Sequence, residues 1–347
     1  MKRLLTLVAL AAALTASAQV KVVKLWDNTS APHSNEDAGP QKEKNGNLYN
    51  TVDTELFIYP AAPDKATGQA VVVCPGGGYR FVSMPREGHE VGEWLSAEGI
   101  TVVALKYRLP NGHCQVPLED VEAALRYIRD HAAEYGVDPS RVGIMGFSAG
   151  GHLAASAATM LPEEVRPAFA VLVYPVITAE PGKCHKGSFD NLLGTDRTAG
   201  DEAQWSLQNR VTASTPPTLL LLADDDRTVP PVNSTLFYEA LKRNGVKGVR
   251  CASTPAAATA AVSTPTASTV PRGAPTCSTG SERSRTAPRI DLVRPKRSGG
   301  GDRISAPASM AGIPVSLRPR RQEAGAVCGY NSARTASEGR SRASRPT

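Results

Sequence analysis

Continuous apolar runs alternate with segments of helical spacing over residues 55–243, and turn residues punctuate the alternation. Residues 70–74 read Ala-Val-Val-Val-Cys, apolar at every position, the pattern of a strand covered on both faces. The runs at 100–105, 142–146, 170–174 and 218–223 read the same way, and ordered structure is expected to begin at the strand 55–60. Spacing near 3.6 predicts helices over 86–97, 118–135, 149–160 and 233–243, with Gly136 and Pro139 closing the second. Strands and helices in this order require right-handed crossovers, so the expected fold is α/β with a doubly wound, mostly parallel sheet.

The flanks of this pattern differ from it. Met1-Lys2-Arg3, a short apolar run over 4–14 and Ala16-Ser17-Ala18 form a secretory signal, with cleavage expected after Ala18 and export as the consequence. The run is too short to cross a membrane, and no second long apolar segment follows. Residues 19–50 form a polar lead-in, expected to lie along the surface. Charge separates the far end: residues 1–250 carry 24 basic and 28 acidic side chains, residues 251–347 carry 15 basic and 5 acidic. The net charge of +6 therefore comes from a segment rich in Ala, Ser, Thr, Pro and Arg whose one aromatic residue is Tyr330. Such a composition buries too little apolar surface to offset chain entropy, so 249–347 reads as a disordered tail and 51–248 as the folded domain. Arg-rich character suits an acidic polymer, but export and the lack of interleaved aromatics argue against nucleic acid.

Gly146-Phe147-Ser148-Ala149-Gly150 is a G-x-S-x-G nucleophile elbow set between an apolar strand and an Ala-rich helix. The small residues let the chain turn sharply and hold the Ser148 hydroxyl over the sheet, and the free amides of the following helix favour a developing oxyanion. Pro75-Gly76-Gly77-Gly78-Tyr79 ends the first strong strand. Its glycines suit an oxyanion loop, with Gly77, Gly78 and Ala149 as donors; a phosphate loop would need Lys-Ser/Thr where Tyr79-Arg80 stands. Asp224-Asp225-Asp226 follows the strand 218–223, and the spacing D-x-x-V-P favours Asp226 as the acid that orients a base, with Asp225 second.

The base itself is missing from the expected place. In this elbow architecture the order is Ser, then Asp or Glu, then His, yet His33, His89, His113, His131, His152 and His185 all precede Asp226. His152 lies one helical turn past Ser148 and reads as a packing residue; His113 and His185 border the expected pocket, and His33, His89 and His131 read as surface residues. Six scattered cysteines without C-x-x-C spacing argue against zinc, and no cofactor is expected. Cys74, Cys114 and Cys184, inside the domain, read as free thiols.

Cys74 to Gly88 (Cys-Pro-Gly-Gly-Gly-Tyr-Arg-Phe-Val-Ser-Met-Pro-Arg-Glu-Gly), Leu105-Lys-Tyr-Arg-Leu-Pro110, Gly146-Phe-Ser-Ala-Gly-Gly-His-Leu-Ala154, Phe189-Asp-Asn-Leu-Leu-Gly194 and Pro230-Pro-Val-Asn-Ser234 occur in that order. Together they resemble the bacterial acetyl-xylan esterase branch of the α/β-hydrolases, near the hormone-sensitive-lipase-like esterases. The resemblance covers about residues 50–247 and implies removal of acetyl or other small acyl groups from plant-wall carbohydrate. A peptidase or dienelactone-type hydrolase on the same fold, and a non-catalytic protein binding through its basic tail, are the alternatives.

The family ends in a strand, a loop of the form V-Y-P-x-G-G-H-G-x-G-F that carries the histidine, and a closing helix. This chain departs from that pattern near Gly248, so its final strand and helix are expected to be replaced by the tail, and its activity impaired. Joining the third base of each codon to the first two of the next, from Ala252 and Ser253 onward, admits the family loop at every position when Ser253 and Ser263 use TCN codons. The Ala258/Thr259 junction then admits His, flanked by positions that admit Gly. A frame shift explains the departure economically; a natural basic tail is the rival.

Overall fold

Backbone pairing joins the apolar runs into one eight-stranded sheet in the order β1-β4-β6-β5-β7-β8-β9-β10. A computed structural model describes residues 19–36 and 39–254. Its elements are β1 (Lys21–Asp27), β2 (Lys42–Lys44), β3 (Asn47–Tyr49), β4 (Asp53–Tyr59), β5 (Ala70–Cys74), α1 (Glu90–Ala97), β6 (Thr101–Lys106), α2 (Gln115–Asp130), β7 (Val142–Phe147), α3 (Ser148–Met160), β8 (Ala170–Val173), α4 (Lys186–Leu193), α5 (Ala199–Gln204), β9 (Thr218–Ala223), α6 (Val232–Arg243) and β10 (Arg250–Thr254). In this sheet β4 pairs antiparallel with both β1 and β6 and the other pairs are parallel, while β2 and β3 form a separate antiparallel pair.

The central strands are covered on both faces, as the unbroken apolar runs require. Every residue of β5, β6, β7 and β8 is buried. Val72, Val73, Val103 and Ile144 are fully enclosed, and each such side chain contributes roughly 1.5–3 kcal/mol by leaving water. Strand order reverses at β5, with β6 on one side and β7 on the other. Loops leaving the carboxyl ends of these strands therefore diverge and open a crevice, the usual ligand position in such sheets.

Three expectations are corrected. Order begins well before residue 55: β1 pairs with β4, and the polar lead-in is anchored in the interior. Arg108 is completely buried, donates to Asp120 and to the carbonyl of His33, and Asp120 also accepts from Trp26 Nε1 at 2.6 Å. Asn35, equally buried, donates to the carbonyls of Thr51 and Leu109. Polar composition concealed this because the anchoring runs through hydrogen bonds, not apolar burial. The helix expected over 86–97 is divided: Met84–His89 is a π-helical turn with Pro85 in its first positions, and it runs into α1. Finally, a strand survives past Gly248: β10 pairs in parallel with β9, Arg250 to Leu219 through Thr254 to Ala223. The ladder is made by backbone groups, so it tolerates side chains foreign to the family pattern. The expected tail beyond Thr254, and the signal over 1–18, lie outside the described residues. Among the described residues no helix is long and apolar enough to cross a membrane.

Candidate active site

Ser148 begins α3 directly after β7, with φ 51°, a left-handed conformation costly for a residue with a Cβ. The surrounding backbone leaves room for nothing larger than glycine at the two flanking positions. A methyl group at Gly146 would lie 2.1 Å from the Gly150 carbonyl oxygen, and one at Gly150 would lie 2.1 Å from that of Cys74. The Ser148 carbonyl accepts from Val176 N at 3.0 Å, fixing the turn against the segment after β8.

Beside the serine, the loop after β5 has its carbonyls turned away from the crevice. Pro75 O accepts from Tyr107 Oη at 2.8 Å, Gly76 O from Ser83 N, Gly77 O from Arg80 N and Phe81 N, and Gly78 O from Asn191 Nδ2 at 2.8 Å. Gly77 and Gly78 adopt φ values of 133° and 63°. At Gly77 a side chain would strike the Phe81 carbonyl at 2.0 Å, so only glycine fits. Among the described residues the amides of Gly77 and Gly78 find no acceptor, and Ala149 N lies in the first turn of α3, where amides have no intrahelical partner. A methyl group at Gly76 would touch Ser148 Cβ at 3.1 Å, which puts the loop against the hydroxyl-bearing carbon. Such amides can hold a negative oxygen that forms next to the serine.

Asp226 is the one buried member of its acidic run, 7% exposed, whereas Asp224 and Asp225 face solvent. Its Oδ1 accepts from Thr228 N at 2.8 Å and Val229 N at 2.9 Å, closing a turn that the D-x-x-V-P spacing encodes. Its charge reaches Tyr174, whose hydroxyl burial and then Glu87 push well up, and His185, whose ring burial pushes down while Asp226 opposes the shift.

The histidines sort by their partners. His152 is fully buried, with Nδ1 3.0 Å from Tyr79 Oη and Nε2 2.9 Å from the Trp205 carbonyl. The carbonyl assigns the proton to Nε2, so Nδ1 accepts from the tyrosine. Phe189 and Trp205 enclose the ring, and burial pushes its pKa down to about 4. His185 precedes α4, bonds Ser188 Oγ through Nδ1 at 2.8 Å, and lies next to Gly78; burial lowers its pKa and Asp226 opposes the shift. His113 sits in the turn before α2, its amide donating to Pro110 O. His33 pairs with Glu119 at the surface. Two histidines are less exposed than their sequence positions suggest: His89 meets Tyr59 Oη at 2.6 Å and the edge of Phe57, and His131 stacks on Tyr127. Among the described residues no hydrogen bond joins a histidine to Ser148. Cys74, Cys114, Cys184 and Cys251 are free thiols, and the described residues hold no cluster of three or more His, Cys, Asp or Glu suited to a metal.

The sequence assigns no role to two side chains at the site: Glu87, within the Cys74–Gly88 run and buried in the π-helical turn, and Tyr174, at φ 37° after β8. Glu87 Oε2 accepts from Gly76 N at 2.6 Å and its Oε1 from Tyr174 Oη at 2.9 Å. Glu87 falls in the first turn of the helix expected over 86–97, and the π-helical turn found there directs its carboxylate inward.

A family model for the alpha/beta hydrolase fold matches residues 71–247, from β5 to just past α6. The chain belongs to that family. This α/β-hydrolase is 43% identical over 185 residues to an acetylxylan esterase of Xylanibacter ruminicola, covering 52% of this chain and 38% of the relative. It is 34% identical over 208 residues to endo-1,4-beta-xylanase B of Butyrivibrio fibrisolvens, covering 55% of this chain and 32% of that protein. The chain thus matches about a third of the length of these relatives. Among solved structures, an acetyl ester-xyloside bifunctional hydrolase from Caldicellulosiruptor lactoaceticus superposes with a TM-score of 0.52 at 34% identity, over 60% of this chain and 79% of the other.

Proposed function

We propose that this α/β-hydrolase is built as a serine carboxylesterase that removes acetyl or other small acyl groups from plant-wall carbohydrate, and that it works far below capacity because its catalytic histidine is absent. The observation that carries the reading is Ser148, held in a left-handed elbow against an oxyanion loop whose Gly77 and Gly78 amides find no acceptor among the described residues. The names of the relatives support acetylated xylan as the substrate class.

In the complete mechanism Ser148 Oγ attacks the ester carbonyl carbon while a base removes its proton. The carbonyl oxygen becomes an oxyanion held by Gly77, Gly78 and Ala149, the alcohol leaves with the proton, and water releases the acyl group by the reverse route. Asp226 orients the base and stabilises it when charged. Without that base Ser148 stays a weakly nucleophilic hydroxyl. Loss of one triad member lowers kcat by roughly 10⁴–10⁶, leaving about 10³–10⁴ over water from the oxyanion hole and binding. We also infer export, from Ala16-Ser17-Ala18 and the apolar run before it.

The test compares the full chain with a version carrying the family G-G-H-G loop in place of residues 256–260. Acetate release from acetylated xylan, p-nitrophenyl acetate cleavage and dipeptide hydrolysis are measured on both. The restored protein should cleave the acetyl esters and lose about 10⁴-fold or more of that rate on Ser148→Ala or Asp226→Asn. Rapid labelling of Ser148 by a fluorophosphonate in the unrestored chain would reject the missing-base reading, and preferential dipeptide cleavage would reject the esterase reading.

A further inference from the structure

Glu87 is a buried carboxylate that the ester chemistry leaves unused, and its surroundings are specific. It sits in the π-helical turn Met84–His89, 7% exposed, with no ion pair to a basic side chain among the described residues. Its two oxygens face two different parts of the site: Oε2 takes the Gly76 amide at 2.6 Å, and Oε1 takes the Tyr174 hydroxyl at 2.9 Å. Gly76 is the loop residue packed against Ser148 and the Phe147 carbonyl, and the Tyr174 ring lies 6.0 Å from that of Phe147. Tyr174 is itself held in a strained left-handed conformation, its amide bonded to Leu221 O at 2.6 Å. Burial pushes the Glu87 carboxyl above its ordinary range, while the Gly76 amide, the Tyr174 hydroxyl and the Arg86 charge pull the other way. Both oxygens act as acceptors, the arrangement an ionised carboxylate satisfies and a neutral apolar side chain would not.

We propose that Glu87 is the positioning residue of the oxyanion hole: it draws the Gly76 amide outward, so that the next two amides of the loop turn toward Ser148, and Tyr174 locks it in that pose. Outward traction on one peptide of a tight glycine loop sets the orientation of its neighbours, because the flanking carbonyls of Pro75, Gly76, Gly77 and Gly78 are all held from outside. Glu87 touches no reacting atom and acts through the loop, and its effect falls on the transition state, where the oxygen becomes negative, more than on substrate binding.

The inference rests on the esterase reading of Ser148, and the full chain suits its test because the hydrolysis left without a base comes largely from the oxyanion hole. Residual cleavage of p-nitrophenyl acetate and amide hydrogen exchange at Gly76 are followed in the wild type, Glu87→Gln, Tyr174→Phe and the double variant. Glu87→Gln should lower kcat about tenfold or more, below the 10²–10³ typical of deleting a donor outright, with KM within about twofold. Tyr174→Phe should lower it less, and the double variant no further than Glu87→Gln alone, since Tyr174 acts through Glu87. Gly76 exchange should be slow in the wild type and faster in Glu87→Gln, whose uncharged amide oxygen still accepts from Gly76 N but holds it more weakly. An unchanged kcat, a loss confined to KM or additive losses would overturn the role. If Glu87→Gln fails to fold, Tyr174→Phe decides it, since only one hydroxyl is removed. If the wild type shows no cleavage above buffer, the esterase reading fails, and Gly76 exchange still judges Glu87: equal rates in wild type and variants would reject the proposal.

Discussion

A methyl group on Gly150 would sit 2.1 Å from the Cys74 carbonyl oxygen and 2.4 Å from that of Pro75, contacts that only a backbone shift could relieve. Gly150→Ala is therefore expected to destabilise by at least the roughly 1–3 kcal/mol of ordinary overpacking and to push β5 away from Ser148. A urea midpoint equal to that of the wild type would contradict this. His152 offers a pH test with a definite sign. Burial takes its pKa from 6.5 to about 4, so the unfolded chain binds the proton first as pH falls. Its stabilising contribution is complete above about pH 6.5 and is lost between there and about pH 4, amounting to about 3 kcal/mol at most. Comparing wild type with His152→Gln across that range isolates the effect from carboxyls that titrate nearby, and parallel stability curves would refute it. At this scale the sequence disclosed Ser148, Gly146, Gly150 and the glycine loop because each meets a steric demand that few residue types satisfy. Glu87 and Tyr174 stayed hidden, since nothing about a Glu or a Tyr announces which way it will point.

The anchoring of the lead-in is decided between elements. Arg108 lies just past β6, Asp120 in α2, Trp26 in β1, and their hydrogen bonds bind the first strand to the domain. Asp120→Ala strips the buried guanidinium of its closest carboxylate, leaving Glu119 at 3.8 Å, and should cost up to about 3–5 kcal/mol, more than removal of an exposed pair such as Arg126 with Glu122. Equal melting midpoints for the two variants would show the network to be dispensable. At the opposite edge, Leu219 and Leu221 of β9 are only half-buried on one face, next to β10. Restoring the family loop and closing helix should cover that face. The melting midpoint would then rise by roughly 2–4 °C for each kcal/mol gained, and an unchanged midpoint would mean that the helix adds no cover.

For the whole molecule, the charge break matters more than the total. Residues 251–347 carry 15 basic and 5 acidic side chains, so a protein ending at Thr254 loses the source of its positive excess. The full chain should bind a sulfated polysaccharide matrix in a salt-sensitive way and the shortened chain should not. Retention of the shortened chain at equal salt would place the binding surface on the folded domain.

Unbroken apolar runs, helical spacing and two glycine-rich turns were enough to determine a mostly parallel α/β sheet and to place Ser148, Gly77, Gly78, Ala149 and Asp226 at the ends of its strands, because burial and steric fit act locally and leave a residue-type trace. That all six histidines stand ahead of Asp226 is likewise a matter of chain order. Tertiary structure alone decided what depends on direction and backbone pairing. The polar lead-in became β1 through hydrogen bonds to distant partners, β10 formed despite unfamiliar side chains, and an unwound turn aimed Glu87 at Gly76. Hydrogen bonds between groups far apart in sequence leave no periodicity, so their partners become visible only when the chain is folded.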